Sequence, residues 1–211
     1  MVEAFKRLVR KNKTILACAQ KSRWIGELFW SNPLNPAKIM LFLKVMPYTM
    51  VGYKRLSNAY ELACKAEAEN VPGAFVELGV WKGGAAGVMA AAAKEAKSKR
   101  ITWLFDSFEG LPEPTKKDGT HAAEYASEHT LGRLRSIVKC VGPIEDVEKL
   151  FFSVLRIPRE QVRIEKGWFQ ETLPGAKQEL GQIAILRLDA DWYESTKYAL
   201  EELYDQVSPG G

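Results

Sequence analysis

Cysteine and histidine are scarce. Cys18, Cys64 and Cys140 stand 46 and 76 residues apart without a CxxC pair, and His121 and His129 are the only histidines. These spacings exclude a zinc knuckle and a disulfide framework, and they fit buried thiols in a reducing compartment. Long hydrophobic runs are missing too. Residues 1–20 lack the apolar stretch of ~7–15 residues that a secretory signal needs. The most apolar segment, 39–51, is interrupted by Lys44 and falls short of the ~20 residues that cross a bilayer. The sequence therefore predicts a cytoplasmic address and no membrane span. Asn12-Lys13-Thr14 fits a glycosylation sequon and reads as a chance match.

What is present is an ordinary globular composition. The chain has 211 residues, 46% apolar and 27% charged, enough for a single core without staples. Charge is unevenly spread. Residues 1–55 carry eleven Lys/Arg against Glu3 and Glu27, a net of +9, whereas residues 56–211 carry a net of −5. No nucleic-acid motif is interleaved with the basic residues. We read them as a helix face that docks on the body or on a second subunit, which predicts a homo-oligomer with neither nucleic acid nor membrane as partner. A peripheral membrane or nucleic-acid binder built on residues 1–55 is the competing reading.

Apolar spacing predicts an amphipathic helix over 3–20, a break at Asn32-Pro33 and Asn35-Pro36, and a helical zone that includes 54–69. From Pro72 the pattern alternates. Strands are predicted over 74–80, 101–105, 162–165 and 183–188, with helices over 83–97, 147–155 and 194–207. Residues 111–143 read as a long excursion with some helix. Such alternation implies a doubly wound, mostly parallel α/β sheet with right-handed crossovers. We expect residues 1–70 to form a helical cap or oligomerisation region and 71–211 the α/β domain. An alternating fold should enter another strand after Ser208-Pro209-Gly210-Gly211, so a C-terminally truncated sheet is expected.

In an open parallel sheet, ligands bind at the carboxyl ends of the strands. The first strand ends in VELGVWKGG (76–84), whose glycine spacing is neither G-x-G-x-x-G nor a Walker A loop. Glu77 at such a position repels phosphate and attracts a cation, which favours an adenosyl compound with a positive end over a dinucleotide. A purely structural strand–helix turn is the alternative. Asp106 lies 27 residues after Gly79, loosely where a ribose diol is gripped. Phe108 either flanks an adenine or packs in the core. The fourth strand ends in LRLDADWYE (186–194), where Asp189 and Asp191 can converge on one cleft. Paired carboxylates suit magnesium, a general base, or a helix N-cap in which Asp191 or Glu194 serves free amides.

VELGVWKGG, FDSFEGLPEP (105–114), KGWFQETLP (166–174), LRLDADWYEST (186–196) and ALEELYDQVSPGG (199–211) together resemble the macrocin O-methyltransferase family. Pro47-Tyr48-Thr49-Met50 with Arg55-Leu56 resembles its upstream segment, so the likeness spans residues 45–211. It implies a class I, Rossmann-like methyltransferase fold with an N-terminal helical cap. It also implies S-adenosylmethionine-dependent, magnesium-assisted methylation of a hydroxyl on a sugar or glycosylated small molecule. By position, Val76, Glu77, Leu78, Gly79 and Val80 would line the methionine moiety. Asp106, Ser107, Phe108 and Glu109 would face the ribose and adenine, Gly167 and Trp168 the adenine end, and Thr49 and Met50 the cofactor from the cap. Asp189 would hold Mg2+ and Asp191 would be the base. Further family aspartates lie on a strand that this sequence does not reach, so a catalytically incomplete binding protein is the second expectation.

Overall fold

A computed structural model describes residues 13–211 apart from Glu128, with side chains from Gln20 onward. Most of the helix expected over 3–20 lies outside the described residues. What is seen is α1 (Lys13–Ser31), which ends where Asn32-Pro33 was expected to break the chain. A second helix, α2 (Pro36–Val45), starts with Pro at its first position, and the Asn35 side chain accepts the Lys38 N–H. The sequence reading named no helix there, because IMLFLKV is apolar on every side and shows no period. Helix α3 (Tyr53–Ala68) then leads into the alternating part.

That part runs β1 (Ala74–Leu78), α4 (Gly84–Glu95), β2 (Thr102–Asp106), the excursion with α5 (Gly119–Tyr125), and α6 (Ile144–Glu148). Helix α6 widens into a π turn over Lys149–Val154. The chain continues through β3 (Val162–Lys166), α7 (Phe169–Leu180), β4 (Ile183–Leu188) and α8 (Tyr193–Leu203). The sequence reading also passed over α7, since Pro174-Gly175 looks like a breaker. The helix persists because Leu173, Ala176 and Leu180 bury one apolar stripe, a case of packing overriding propensity.

All described strand pairs are parallel, in the order β3-β2-β1-β4. The chain winds outward from β1 to β3, and α7 then carries it back across the sheet to the far side of β1. The winding direction reverses between β1 and β4, which makes that gap the switch point where a doubly wound sheet opens a crevice. Beyond β4, Val207 forms a parallel bridge with Ile183, and the Ser208 N–H donates to the Ile183 carbonyl at 2.8 Å.

Both sheet faces are covered, as parallel sheets require. On one face Val76, Leu78, Trp103 and Phe105 pack with Leu173 of α7 and Leu203 of α8. On the other, Phe75 and Leu104 join a cluster that runs through α4 into α2 and α3, so the N-terminal helices share a core with the α/β part. At its outer end Phe42 lies 5.8–6.3 Å, ring to ring, from Trp24, Tyr53 and Tyr60. Lys38 is buried beside them and donates to Ser57 Oγ at 3.1 Å and Glu61 Oε1 at 3.0 Å, so one charge of the basic half is satisfied internally. Phe42 is fully buried, and its truncation to Ala should cost about 3–5 kcal/mol of unfolding free energy, read from the shift in the urea midpoint.

Candidate active site

The end of β1 lies against the end of β4 because residue 79 is glycine. Gly79 has φ +83°, and a Cβ there would sit 2.2 Å from the Asp189 carbonyl oxygen. No other residue combines that dihedral with that closeness. Asp106, at the end of β2, stitches the neighbouring turns together. Its Oδ2 accepts the N–H groups of Val80 at 2.7 Å and Trp81 at 2.8 Å, and its Oδ1 accepts that of Phe108 at 2.7 Å. Burial pushes this carboxyl above its ordinary range, and the three N–H donors pull it back.

Glu77 is 2% exposed and projects to the α4 side of the sheet. Its Oε2 accepts the Ala86 N–H in the first turn of α4 at 2.7 Å, and Arg187 Nε approaches its Oε1 at 3.2 Å. Burial pushes the Glu77 carboxyl up to about 8, with Arg187 and the Ala86 amide acting against that rise. An internal arginine thus faces the acid at which a ligand's positive end was expected. Arg187 Nη2 also donates to Asp189 Oδ2 at 2.9 Å.

A cavity of about 300 Å³ opens at the switch point. Met50, Gly79, Asp106, Ser107, Gly167, Trp168, Asp189 and Asp191 of the sequence-derived set line it. Thr49, Glu77 and Val80 line a smaller recess of about 40 Å³, shared with Met50, Gly79 and Asp189. Val76 and Leu78 are fully buried among the α7/α8 core, so their side chains face away from both spaces. Phe108 is likewise buried in a core cluster, while Glu109 is exposed with Lys166 at 3.9 Å.

The sequence reading did not single out Arg55, Trp81, Leu134, Cys140, Phe169 or Ser195, which also line the larger cavity. Arg55, Trp81, Phe169 and Ser195 stand inside quoted motifs and were within reach. Leu134 and Cys140 come from the excursion, whose path is set by long-range bonds. The Leu111 N–H donates to the Lys139 carbonyl at 2.9 Å, and Trp81 Nε1 donates to the Val141 carbonyl at 3.1 Å.

Helix α8 is capped from a distance. Asp118 Oδ1 accepts the Tyr193 N–H at 2.6 Å, and Lys117 pairs with Glu194 at 2.8 Å. The N-cap role considered for Asp191 and Glu194 therefore falls to the excursion. Asp191, with φ +58°, is exposed as a residue but sets its carboxyl partly desolvated at the cavity wall, where it has no hydrogen-bond or ion-pair partner among the described residues. Burial first, then the charges of Asp189 and Asp106, raise its carboxyl above the ordinary range. An unpartnered carboxylate of raised basicity at a cavity wall is suited to taking a proton.

Among the described residues no group of three or more His, Cys, Asp or Glu side chains is placed to hold a metal ion. Asp189 and Asp191 supply two carboxylates, and one oxygen of Asp189 is occupied by Arg187. That donor set fits a hard divalent cation that keeps most of its waters, as magnesium does when held by one or two carboxylates.

A parallel sheet with helices on both faces and a crevice of this kind is a doubly wound α/β fold, and comparison with solved structures makes it a class I methyltransferase fold. The O-methyltransferase NovP superposes with a TM-score of 0.64 at 35% identity, covering 78% of this chain and 64% of NovP. The calicheamicin methyltransferase CalS11 shares the fold with a TM-score of 0.59 at 21% identity, covering 92% of this chain and 74% of its own.

Residues 43–211 match the family model described as macrocin-O-methyltransferase (TylF), and the chain belongs to that family. It is 41% identical to the 8-demethyl-8-(2,3-dimethoxy-alpha-L-rhamnosyl)-tetracenomycin-C 4'-O-methyltransferase of Streptomyces olivaceus, over 78% of this chain. It is 38% identical to the demethyldecarbamoylnovobiocin O-methyltransferase of Streptomyces niveus, again over 78%. The matched part spans about 60% of the length of these relatives.

The cap segment 46–50 touches the start of α4 at Gly84, where a Cβ would lie 2.5 Å from Thr49 Cβ and 2.6 Å from the Tyr48 carbonyl oxygen. Gly84→Ala should push Thr49 and Met50 off the site and lower stability by about 1–3 kcal/mol. Thermal unfolding and the protection of amides 46–52 in hydrogen exchange measure both effects.

Proposed function

We propose that this protein transfers the methyl group of S-adenosylmethionine to a hydroxyl of a sugar or glycosylated small molecule, with Asp191 as the general base. One observation carries the reading. An unpartnered carboxylate, raised above its usual range, stands at the switch-point cavity beside the Gly79 turn and Asp106. Family membership and relatives named as methyltransferases of a rhamnosyl tetracenomycin and of a novobiocin precursor support the substrate class.

S-adenosylmethionine supplies an electrophilic methyl group on a sulfonium, and Mg2+ supplies positive charge that orients and acidifies a hydroxyl. The remaining work belongs to the chain. The backbone of 76–80, with the Gly79 turn at its end, would face the methionine moiety, and Thr49 and Met50 would cover it from the cap. Asp106 holds the turns that face the ribose, and Gly167 and Trp168 form the adenine end. Trp81, Leu111 and Leu134 give the cavity an apolar wall that excludes water around the acceptor. Asp191 would take the hydroxyl proton as the oxygen–carbon bond forms and the carbon–sulfur bond breaks, the sulfur leaving as neutral S-adenosylhomocysteine, and Asp189 would hold Mg2+. Alignment of the two reactants supplies much of the remaining acceleration.

We further assign a cytoplasmic address and a homo-oligomer. The apolar residues that α1 and the following turn leave in solvent, Trp30 (89% exposed) and Leu34 (94% exposed), support the assembly. No helix among the described residues is long and apolar enough to cross a membrane.

Asp191→Asn should lower the rate of methyl transfer from labelled S-adenosylmethionine to a rhamnoside by about 100-fold or more while cofactor binding persists. Retained transfer would remove Asp191 from the mechanism, and failure of the wild-type chain to bind the methyl donor would remove the reaction. The base works ionised and its carboxyl is raised, so activity should climb with pH, with an inflection above the ordinary aspartate range. Asp191→Asn should abolish that limb of the pH–rate profile. EDTA and Asp189→Asn should each suppress transfer, and full activity in EDTA would exclude Mg2+.

A further inference from the structure

Arg187 belongs to no role described so far, yet it lies at the centre of the site's charge. It is 17% exposed, in the second-last position of β4, between Glu77 (2% exposed) and Asp189 (40% exposed). We propose that Arg187 is a positioning residue that sets the cation affinity of Asp189 by dividing its guanidinium between Asp189 and Glu77. This rests on the reading of Asp189 as a cation ligand.

The geometry is a relay of fixed parts. The Ala86 amide at the start of α4 holds Glu77 Oε2 at 2.7 Å, which fixes Oε1, 3.2 Å from Arg187 Nε. The planar guanidinium then presents Nη2 to Asp189 Oδ2 at 2.9 Å. A fork of this shape serves two carboxylates at once, whereas a lysine ammonium is a single compact charge. Above pH 8, where Glu77 is ionised, one positive charge shared by two acids leaves the trio net negative. Asp189 therefore keeps part of its charge for a ligand in the cavity, and its orientation is tied through Glu77 to α4. Removal of Glu77 turns all of Arg187 onto Asp189, and shortening Arg187 lets the anchored Glu77 keep the cation and frees Asp189.

Opposite signs follow, which general damage to the core would not produce. Mg2+ is titrated calorimetrically into the full chain above pH 8, where Glu77, pushed up to about 8, carries its charge. Glu77→Gln should weaken Mg2+ binding and Arg187→Lys should tighten it, each by roughly tenfold, the order of one charge-assisted hydrogen bond. Should Arg187→Lys fail to fold, the Glu77→Gln/Arg187→Gln double variant keeps the buried pair uncharged and should bind Mg2+ more tightly than Glu77→Gln alone. Shifts of the same sign, or unchanged affinity in variants of a wild type that binds Mg2+, overturn the role of Arg187 and leave the metal ligand standing. Binding by Arg187→Lys alone supports the role. Absence of binding in wild type and all variants overturns both.

Discussion

The close approach of the β1 and β4 ends is the constraint on which the site depends. Two parallel strands that diverge in winding direction meet there, and their carboxyl ends must come together without a side chain between them. Gly79 makes this sterically possible, with its positive φ and the Asp189 carbonyl where a Cβ would stand. The Asp189 N–H donates to the Leu78 carbonyl at 2.9 Å and extends the ladder one residue past the strands. The Glu77–Arg187–Asp189 relay then ties the junction to α4. A buried ion pair of this kind contributes little net stability. Its value is positional, since it fixes Asp189 relative to the helix that meets the cap at Gly84.

Two segments distant in sequence border the crevice, the cap by close packing and the excursion by hydrogen bonds and an ion pair. The cap reaches in over Gly84. The excursion is pinned by Asp118 on the amide of Tyr193, by Trp192 Nε1 donating to the Pro112 carbonyl at 2.9 Å, and by the Lys117–Glu194 pair. The last is exposed and contributes little by itself. The capping bond satisfies an amide at the start of α8 that has no intrahelical partner. It positions the excursion and the Asp191 turn together, so the acceptor side of the cavity is coupled to the candidate base.

The strands and their order of appearance were legible because β1, β2 and β4 are short, mostly apolar runs bounded by turn residues and β3 alternates apolar with charged residues, and the parallel sheet follows from the alternation of strands and helices. Helix α2 was missed because apolar residues such as Met40 stand on its exposed side and a lysine, Lys38, on its buried stripe, which blurs the period, and α7 because Pro174 is read locally as a stop. At the site, Gly79, Asp106, Asp189 and Asp191 were visible as unusual residues at strand ends. What they do to one another was not visible. Asp106, expected to hold a ribose, also serves three backbone amides, and Glu77, expected to attract a ligand's positive end, also pairs with Arg187. Cys140 and Leu134 carry no local signal at all, because only the folded path of the excursion brings them to the cavity.

The charge of the site selects for what enters it. Glu77, Asp106, Asp189 and Asp191 converge on the β1/β4 end, and Asp191 feels both Asp189 and Asp106. Arg187 offsets one of these charges, and amide donors ease another at Asp106. A phosphate or a second carboxylate would meet net repulsion at this end, consistent with the absence of a phosphate-cradling glycine pattern in VELGVWKGG. A sulfonium or a hydrated divalent cation relieves the same repulsion and lowers the cost of keeping Asp191 ionised. In the proposed reaction, binding of a cationic ligand and readiness of the base would be one electrostatic event, and Arg187, itself a cation, already supplies part of the same relief to Glu77 and Asp189.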